Sequence, residues 1–278
     1  VMVVIKIGIL AMFAIVGFTG FSLENLEPFA PFGVAGVGAA SGLIFFSFIG
    51  LDAVSTAGEE VHNPKRTLPI ALISALVVVT LIYLLVTMSA IGAQKYTEFE
   101  GQEAGLAEIL QYVTGSSWPS IVLSAGAVVS IFSVTLVTLY GQTRILFAMS
   151  RDGLIPTVFS QVSPRSLAPV KNTIIVAFFV SLLAGFLPLD FLADLVSMGT
   201  LVAFIVVSAG VIILRRREPN IERGFKVPLY PVLPILSICA CLYLISTLHI
   251  QTWILFAVWL AATSVLYFTY SRRRSALE

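Results

Sequence analysis

The chain has 278 residues, of which 58% are hydrophobic and 11% charged, and its formal net charge is +1. Soluble domains carry about a quarter charged residues, so the composition excludes a soluble protein of any class. A charge so close to zero gives no reason to expect a nucleic-acid partner; its meaning lies in where the charges fall.

Taken in chain order, eight stretches are apolar enough to cross a bilayer as helices: residues 1–18, 33–62, 68–92, 118–148, 172–187, 191–214, 228–248 and 251–270. Each approaches or exceeds the roughly 20 residues that a crossing needs. The expected class is an all-α polytopic membrane protein. If the first crossing runs outward, the inner segments 59–67, 144–171, 215–227 and 271–278 hold 14 of the 16 lysines and arginines. The outer segments hold only Lys95, beside Glu24, Glu27, Glu98, Glu100, Glu103, Glu108 and Asp190. That asymmetry is the positive-inside pattern, and it sets the C-terminus in the cytoplasm.

The first crossing opens "VMVVIKIGIL", apolar from its first residue, as if the sequence began inside a helix with an upstream part missing. It carries Lys6. A lysine at mid-membrane costs about 2.5–3.5 kcal/mol on insertion scales, so it either meets a partner or snorkels to the surface. Burial would lower its pKa and let the ammonium lose and regain a proton. The chain as given favours snorkelling slightly; a helix extended upstream does not.

The second crossing runs from Gly33 to His62, and at 1.5 Å per residue is about 45 Å long against a hydrocarbon core of roughly 30 Å. Gly33, Gly36, Gly38 and Gly42 form a packing face of small residues. Beyond it "FFSFIGLDAVSTAGEE" spans Phe45–Glu60, with Gly50 near mid-depth and Asp52 close behind. This pattern predicts an interrupted helix over Ser47–Gly50. Broken backbone at that depth survives only inside protein or beside a water-filled cavity, and in secondary transporters it marks the substrate site. Asp52 has two compatible readings. It is an intramembrane acid that binds a cationic group or moves protons, or an N-cap for the second half-helix.

Between the third and fourth crossings, Ala104–Gly115 predicts a short amphipathic helix at the outer surface, read as a lid or, more simply, as interface packing. The fourth crossing carries Ser130, Ser133, Thr135 and Thr138, whose ordinary fate is a bond to the preceding turn of their own helix. Gln142 and Arg144 open an inner segment, "GQTRILFAMSRDG", that suits an anchor or inner gate. Asp194, early in the sixth crossing, reads as a cap or surface residue, with a vestibule role as the rival. His62 falls in an inner loop and His249 in an outer turn, neither with metal-ligand company. Cys239 and Cys241, two apart on one helix, point different ways and suggest no disulfide. Trp118, Trp253 and Trp259 read as interface or packing aromatics. No phosphate loop, zinc pattern or Ser/His/Asp set occurs, so no cofactor, no metal site and no catalytic residue is expected.

Two long motifs, "FFSFIGLDAVSTAGEEVHNPKRTLP" and "GQTRILFAMSRDGLIP", with "ADLVSMGTL" and "RRREPN…RGFKVPLYP" further on, resemble the bacterial cationic amino acid transporter branch of the amino acid–polyamine–organocation superfamily. The resemblance covers the whole chain. It implies a fold of two inverted five-helix repeats plus two peripheral helices, of which this chain, read as one membrane domain, holds the fifth to twelfth helices. Residues 1–18 would be the last helix of the first repeat, 33–214 the second repeat, and 228–270 the peripheral pair. The broken first helix that cradles the substrate carboxylate would then lie in missing N-terminal helices or a partner chain.

Carried over residue by residue, the resemblance makes Phe46 the aromatic that gates substrate from outside. Ser47, Ile49 and Gly50 become the unwound positions that meet the α-ammonium and substrate side chain, and Asp52 the acidic position after the break. Lys6 matches a lysine whose ammonium stands where sodium-coupled relatives hold their ion, so that protons replace sodium. Its hydroxyl partner is Ser133, with Ser130 as the neighbouring candidate. The implied function is secondary active transport of amino acids across the cytoplasmic (inner) membrane, by proton symport and alternating access. The rivals are a sodium-coupled or exchange transporter of related amines, a channel or scaffold, and an intramembrane aspartyl protease using Asp52 and Asp194. The last is weakened by the "GLDA" and "LADL" contexts, which lack the protease settings.

Overall fold

In a computed structural model of the chain, residues 2–50, 61–102, 104–164, 168–221 and 223–273 are described. They form nine α-helices and, among the described residues, no strand: α1 (Met2–Thr19), α2 (Gly33–Phe45), α3 (Pro64–Ala93), α4 (Gly105–Thr114), α5 (Ser117–Arg151), α6 (Val170–Phe186), α7 (Leu189–Arg217), α8 (Val232–Thr247) and α9 (Ile250–Thr269). α1, α3, α5, α7 and α9 are each long and apolar enough to span a bilayer; α2, α6 and α8 are shorter apolar helices. A helix therefore stands at every expected crossing, as an all-α polytopic membrane protein requires. The second crossing was expected to be interrupted over Ser47–Gly50. Its helix stops at Phe45, and Leu51–Glu60 lie outside the described residues.

The chain divides into two compact units. One comprises the residues up to Pro31 with Ala71–Thr138, the other Phe32–Ile70 with the residues from Leu139 onward.

In the first unit, Phe13, Ile109 and Leu110 are fully buried, packed with Ala90, Ala93, Ala107 and Leu123. Lipid tails are as apolar as these side chains, so the cluster is held by close packing and polar ties more than by expulsion from water. The Ser89 hydroxyl donates to the Ala14 carbonyl at 3.1 Å. Gly17 leaves room for it, since a Cβ there would overlap Ser89 Oγ. Two donors converge on the Gly92 carbonyl: Asn25 Nδ2 at 2.7 Å and the Ser22 amide at 2.8 Å. α4 ends at Gly115, whose left-handed φ of 63° closes the helix through its N–H to Gln111 O. With Ala107, Ile109 and Leu110 in the core, this segment packs into the unit as an integral element.

In the second unit, α7 and α8 form an antiparallel hairpin. Met198 and Leu201 face Cys241, Ile245 and Leu248, with Phe256 of α9 completing the cluster. α2 docks on this hairpin through the small residues expected to pack. A Cβ on Gly42 would sit 2.7 Å from Thr247 Oγ1, and one on Gly38 would meet the Tyr243 hydroxyl. Arg215, Arg216 and Arg217 close α7 where its dipole is negative. Arg215 lies over the Tyr230 ring at 4.3 Å, and Arg223 donates to the carbonyls of Glu218, Pro219 and Ile221. The basic connection is thus wrapped onto the end of its own helix.

A second polar knot ties the basic end of α5 to α6. Asn172 is fully buried, and its Nδ2 donates to Thr143 O at 2.9 Å and Phe159 O at 3.1 Å. Ser150 donates to Pro156 O at 2.8 Å and lies 3.0 Å from Ser160 Oγ. These bonds hold the end of α5 and the turn after it against α6.

Candidate functional site

The α2 backbone changes character where the sequence predicts an interruption. α2 gives way to a tight turn over Phe46–Phe48. Ile49 is extended (φ −68°, ψ 139°), its N–H bonded to Phe46 O at 3.2 Å. Gly50 then takes a φ of 111°, a conformation that side chains rarely adopt. The regular i→i−4 ladder of α2 therefore ends here, with the Phe46 N–H turning back to the Leu43 and Ile44 carbonyls. A helix C-terminus is the negative end of the dipole, suited to an ammonium group. The Phe45 ring packs edge-on to Phe204 at 6.1 Å and fixes the end of α2 on α7. Phe46 and Ser47 are exposed and Ile49 is half-buried. Asp52, expected just beyond the break, lies outside the described residues.

The expected coupling residues belong to the first unit. Lys6 is half-buried on α1. Ile9 packs on Gly126, where a Cβ would overlap its Cδ1, and Phe13 shares its core cluster with Leu123. α1 and α5 are therefore antiparallel here. Counted from this contact, Lys6 stands three residues back on α1 and Ser130 four residues on along α5, about 4.5 and 6 Å along the two axes. Ser133 stands about one turn further along. Among the described residues, no hydrogen bond joins Lys6 to either serine. Thr135 and Thr138 bond to the carbonyls of Ile131 and Val134 in their own helix, as expected.

Asp194 departs from expectation. Its side chain is 7% exposed, and Oδ2 lies 2.7 Å from His249 Nδ1 and 3.5 Å from Thr252 Oγ1. Thr252 is fully buried, whereas the His249 ring is 81% exposed. The surface or capping role is thus replaced by a buried tie from α7 to the first turn of α9. One turn on, Ser197 Oγ is buried with no partner among the described residues. A lone acid in an apolar run signals such a tie only when its partner is known, and here the partner is 55 residues away. No group of three or more His, Cys, Asp or Glu that could hold a metal occurs among the described residues. Cys239 is exposed and Cys241 buried, both free.

The family profile described as "Amino acid permease" matches residues 1–269. The methylthioribose transporter of Bacillus subtilis is 42% identical over 279 residues, which cover all of this chain and 60% of that protein. The branched-chain amino acid permease BcaP of the same organism is also 42% identical, again over the whole chain and 60% of its own length. The vacuolar cationic amino acid transporter 4 of Arabidopsis thaliana is 36% identical over 182 residues, 66% of this chain and 30% of its own. The chain thus spans about 60% of the length of the two bacterial relatives. These relatives are permeases and transporters, and none is a protease. With a family match across nearly its whole length and identity of this order to bacterial transporters, the chain belongs to the amino acid permease family of the amino acid–polyamine–organocation superfamily.

Proposed function

We propose that this chain is the C-terminal part of a cytoplasmic-membrane secondary transporter that carries an amino acid by proton symport and alternating access. The observation that carries the reading is the end of α2 at Phe46–Gly50 in a chain of permease descent. It gives a tight turn followed by extended Ile49 and a positive-φ Gly50, with the negative end of a helix beside them. Substrate ammonium binds at Ser47, Ile49 and Gly50, Phe46 closes over it, and Asp52 belongs to the same site as an acid or an N-cap. Lys6 exchanges its proton with the cycle, opposite a hydroxyl on α5. The helices that complete the site come from the remainder of a longer protein or from a partner chain.

The test is uptake into proteoliposomes by the full-length protein, driven separately by a pH gradient and a sodium gradient. Uptake of a branched-chain or cationic amino acid with the pH gradient alone is expected. Uptake with sodium alone would replace proton by sodium coupling, and flux without saturation would mean a channel.

A second reading concerns substrate class. The methylthioribose transporter is as similar to this chain as the branched-chain permease is, so a neutral thiosugar is the alternative cargo. Competition of labelled leucine uptake by excess methylthioribose separates them: inhibition favours the thiosugar, indifference the amino acid.

A further inference from the structure

At the basic end of the second unit, the end of α5 and the turn after it face the last turns of α9 across a cavity of about 540 Å³. Met149, Leu154 and Ile155 form one wall and Leu266, Tyr267 and Phe268 the other. The floor is fixed by the Ser271 hydroxyl, which donates to the Leu154 carbonyl across 117 residues of sequence. Two features distinguish this cavity from the lipid-facing surface of an ordinary helix.

The first is depth. The apolar run of α9 ends at Thr269 and arginines follow from Arg272, so the cavity sits where hydrocarbon gives way to headgroups. Tyr267 in its wall is the amphipathic aromatic typical of that level. The second is charge. Arg272 directly follows the lining Ser271 and is exposed, and Arg151 lies between the lining Met149 and Leu154 with 71% of its side chain exposed. Asp152 shares part of the Arg151 charge at 3.7 Å, which leaves Arg272 as the stronger anion partner. An apolar slot whose lining residues Met149 and Ser271 stand within two residues of exposed arginines matches a molecule with a hydrocarbon tail and an anionic head.

We propose that this cavity binds one anionic phospholipid of the adjacent leaflet. An acyl chain lies between the α5 end and α9, and the phosphate accepts hydrogen bonds from the Arg272 and Arg151 guanidinium groups. Guanidinium pairs with phosphate oxygens in bidentate fashion, and basic pockets between membrane helices are the usual place for such headgroups. Because Ser271 ties the last described turn to Leu154, an occupied slot would splint that end of α9 to the α5 turn. The inference stands apart from the transport reading, since it needs neither the break nor the coupling residues.

The test uses the full-length protein in lipid nanodiscs, with spin-labelled phosphatidylglycerol compared against spin-labelled phosphatidylcholine by electron paramagnetic resonance. The wild type is expected to immobilise phosphatidylglycerol in preference to phosphatidylcholine. Arg272→Gln should weaken phosphatidylglycerol about fivefold, and Arg151→Gln, with its charge shared, by less. Ser264→Trp, which fills the slot, should remove the immobilised fraction for both lipids. The arginines are exposed, so their variants are expected to fold even if the tryptophan variant does not. Equal retention of the two lipids by the wild type, as when another segment covers the slot, would overturn the proposal. So would a phosphatidylglycerol preference that survives the double glutamine substitution.

Discussion

Asp194 Oδ2 and His249 Nδ1 lie 2.7 Å apart, bridging α7 to the turn that opens α9. The carboxylate is buried at the first turn of α9, where the helix dipole favours negative charge, and Thr252 supplies a second donor. An acid held in this way serves as structure. It does not stand ready as half of a protease dyad.

The tie is measurable by a double-mutant cycle. Removing the carboxylate in Asp194→Ala strands the buried Thr252 hydroxyl and is expected to cost about 1–3 kcal/mol of stability. His249→Ala should cost less, because its ring is mostly exposed. The coupling energy between the two should fall near the lower end of the 0.5–3 kcal/mol range for residues in contact. Thermal unfolding of the four proteins in detergent reads it directly. Strictly additive losses would mean that the two side chains do not interact.

Gly42 tests how α2 is held against α8. Its missing Cβ leaves the space that Thr247 Oγ1 fills, and a methyl group there would stand 2.7 Å from that oxygen. Gly42→Ala is therefore expected to overpack the contact by about 1–3 kcal/mol. Among the described residues the Thr247 hydroxyl bonds only to Leu244 O of its own helix at 2.8 Å, so Thr247→Ala alone should be nearly neutral. The double variant Gly42→Ala/Thr247→Ala should recover most of the loss in melting temperature. Failure to recover it would place the strain elsewhere.

How much of this was legible in the sequence depends on the distance over which each signal acts. The helices were legible because a crossing is written in consecutive residues: a run of about 20 apolar side chains has few other solutions. The end of α2 was legible for a similar reason, since a glycine at Gly50 with Ser47 and Asp52 two or three positions away is a local mark. The packing face at Gly38 and Gly42 was readable as small residues, though Thr247 and Tyr243 as its partners were not. Asp194 was misread because its partner is far away in sequence and a lone acid in "LADL" looks like a cap. Asn172 was overlooked for a different reason. It stands at the polar edge of an apolar run, where asparagine looks like a boundary, yet its amide holds two carbonyls from separate segments.

The backbone at Gly50 gives a prediction about activity. A φ of 111° is open to glycine and strained for other residues; forcing a side chain into such a region costs of the order of 1–3 kcal/mol. Among the described residues nothing within 4 Å would obstruct a Cβ there, so Gly50→Ala is a test of backbone conformation. On the transport reading, it should depress the maximal uptake rate severalfold while the folded yield stays near wild type. Unchanged uptake would mean that the conformation at Gly50 is incidental to the substrate site.

Lys6 and the serines of α5 decide the coupling mechanism. If Lys6 carries the coupling proton, Lys6→Ala should abolish uptake driven by a pH gradient while leaving some substrate binding. Retained proton dependence would end that assignment. The hydroxyl opposite Lys6 is then the next question, and helix register gives an answer that family likeness did not. Counted from the seat of Ile9 on Gly126, Ser130 is the nearer hydroxyl, whereas Ser133 stands about 4.5 Å further along the helix. A lysine side chain spans either interval, but the nearer partner needs no stretched rotamer, and immobilising a long side chain has an entropy cost of up to about 2 kcal/mol. Ser130→Ala should therefore shift the pH dependence of uptake more than Ser133→Ala does. Should Ser133→Ala produce the larger shift, Ser133 is the partner and the Lys6 side chain extends along α5 to reach it.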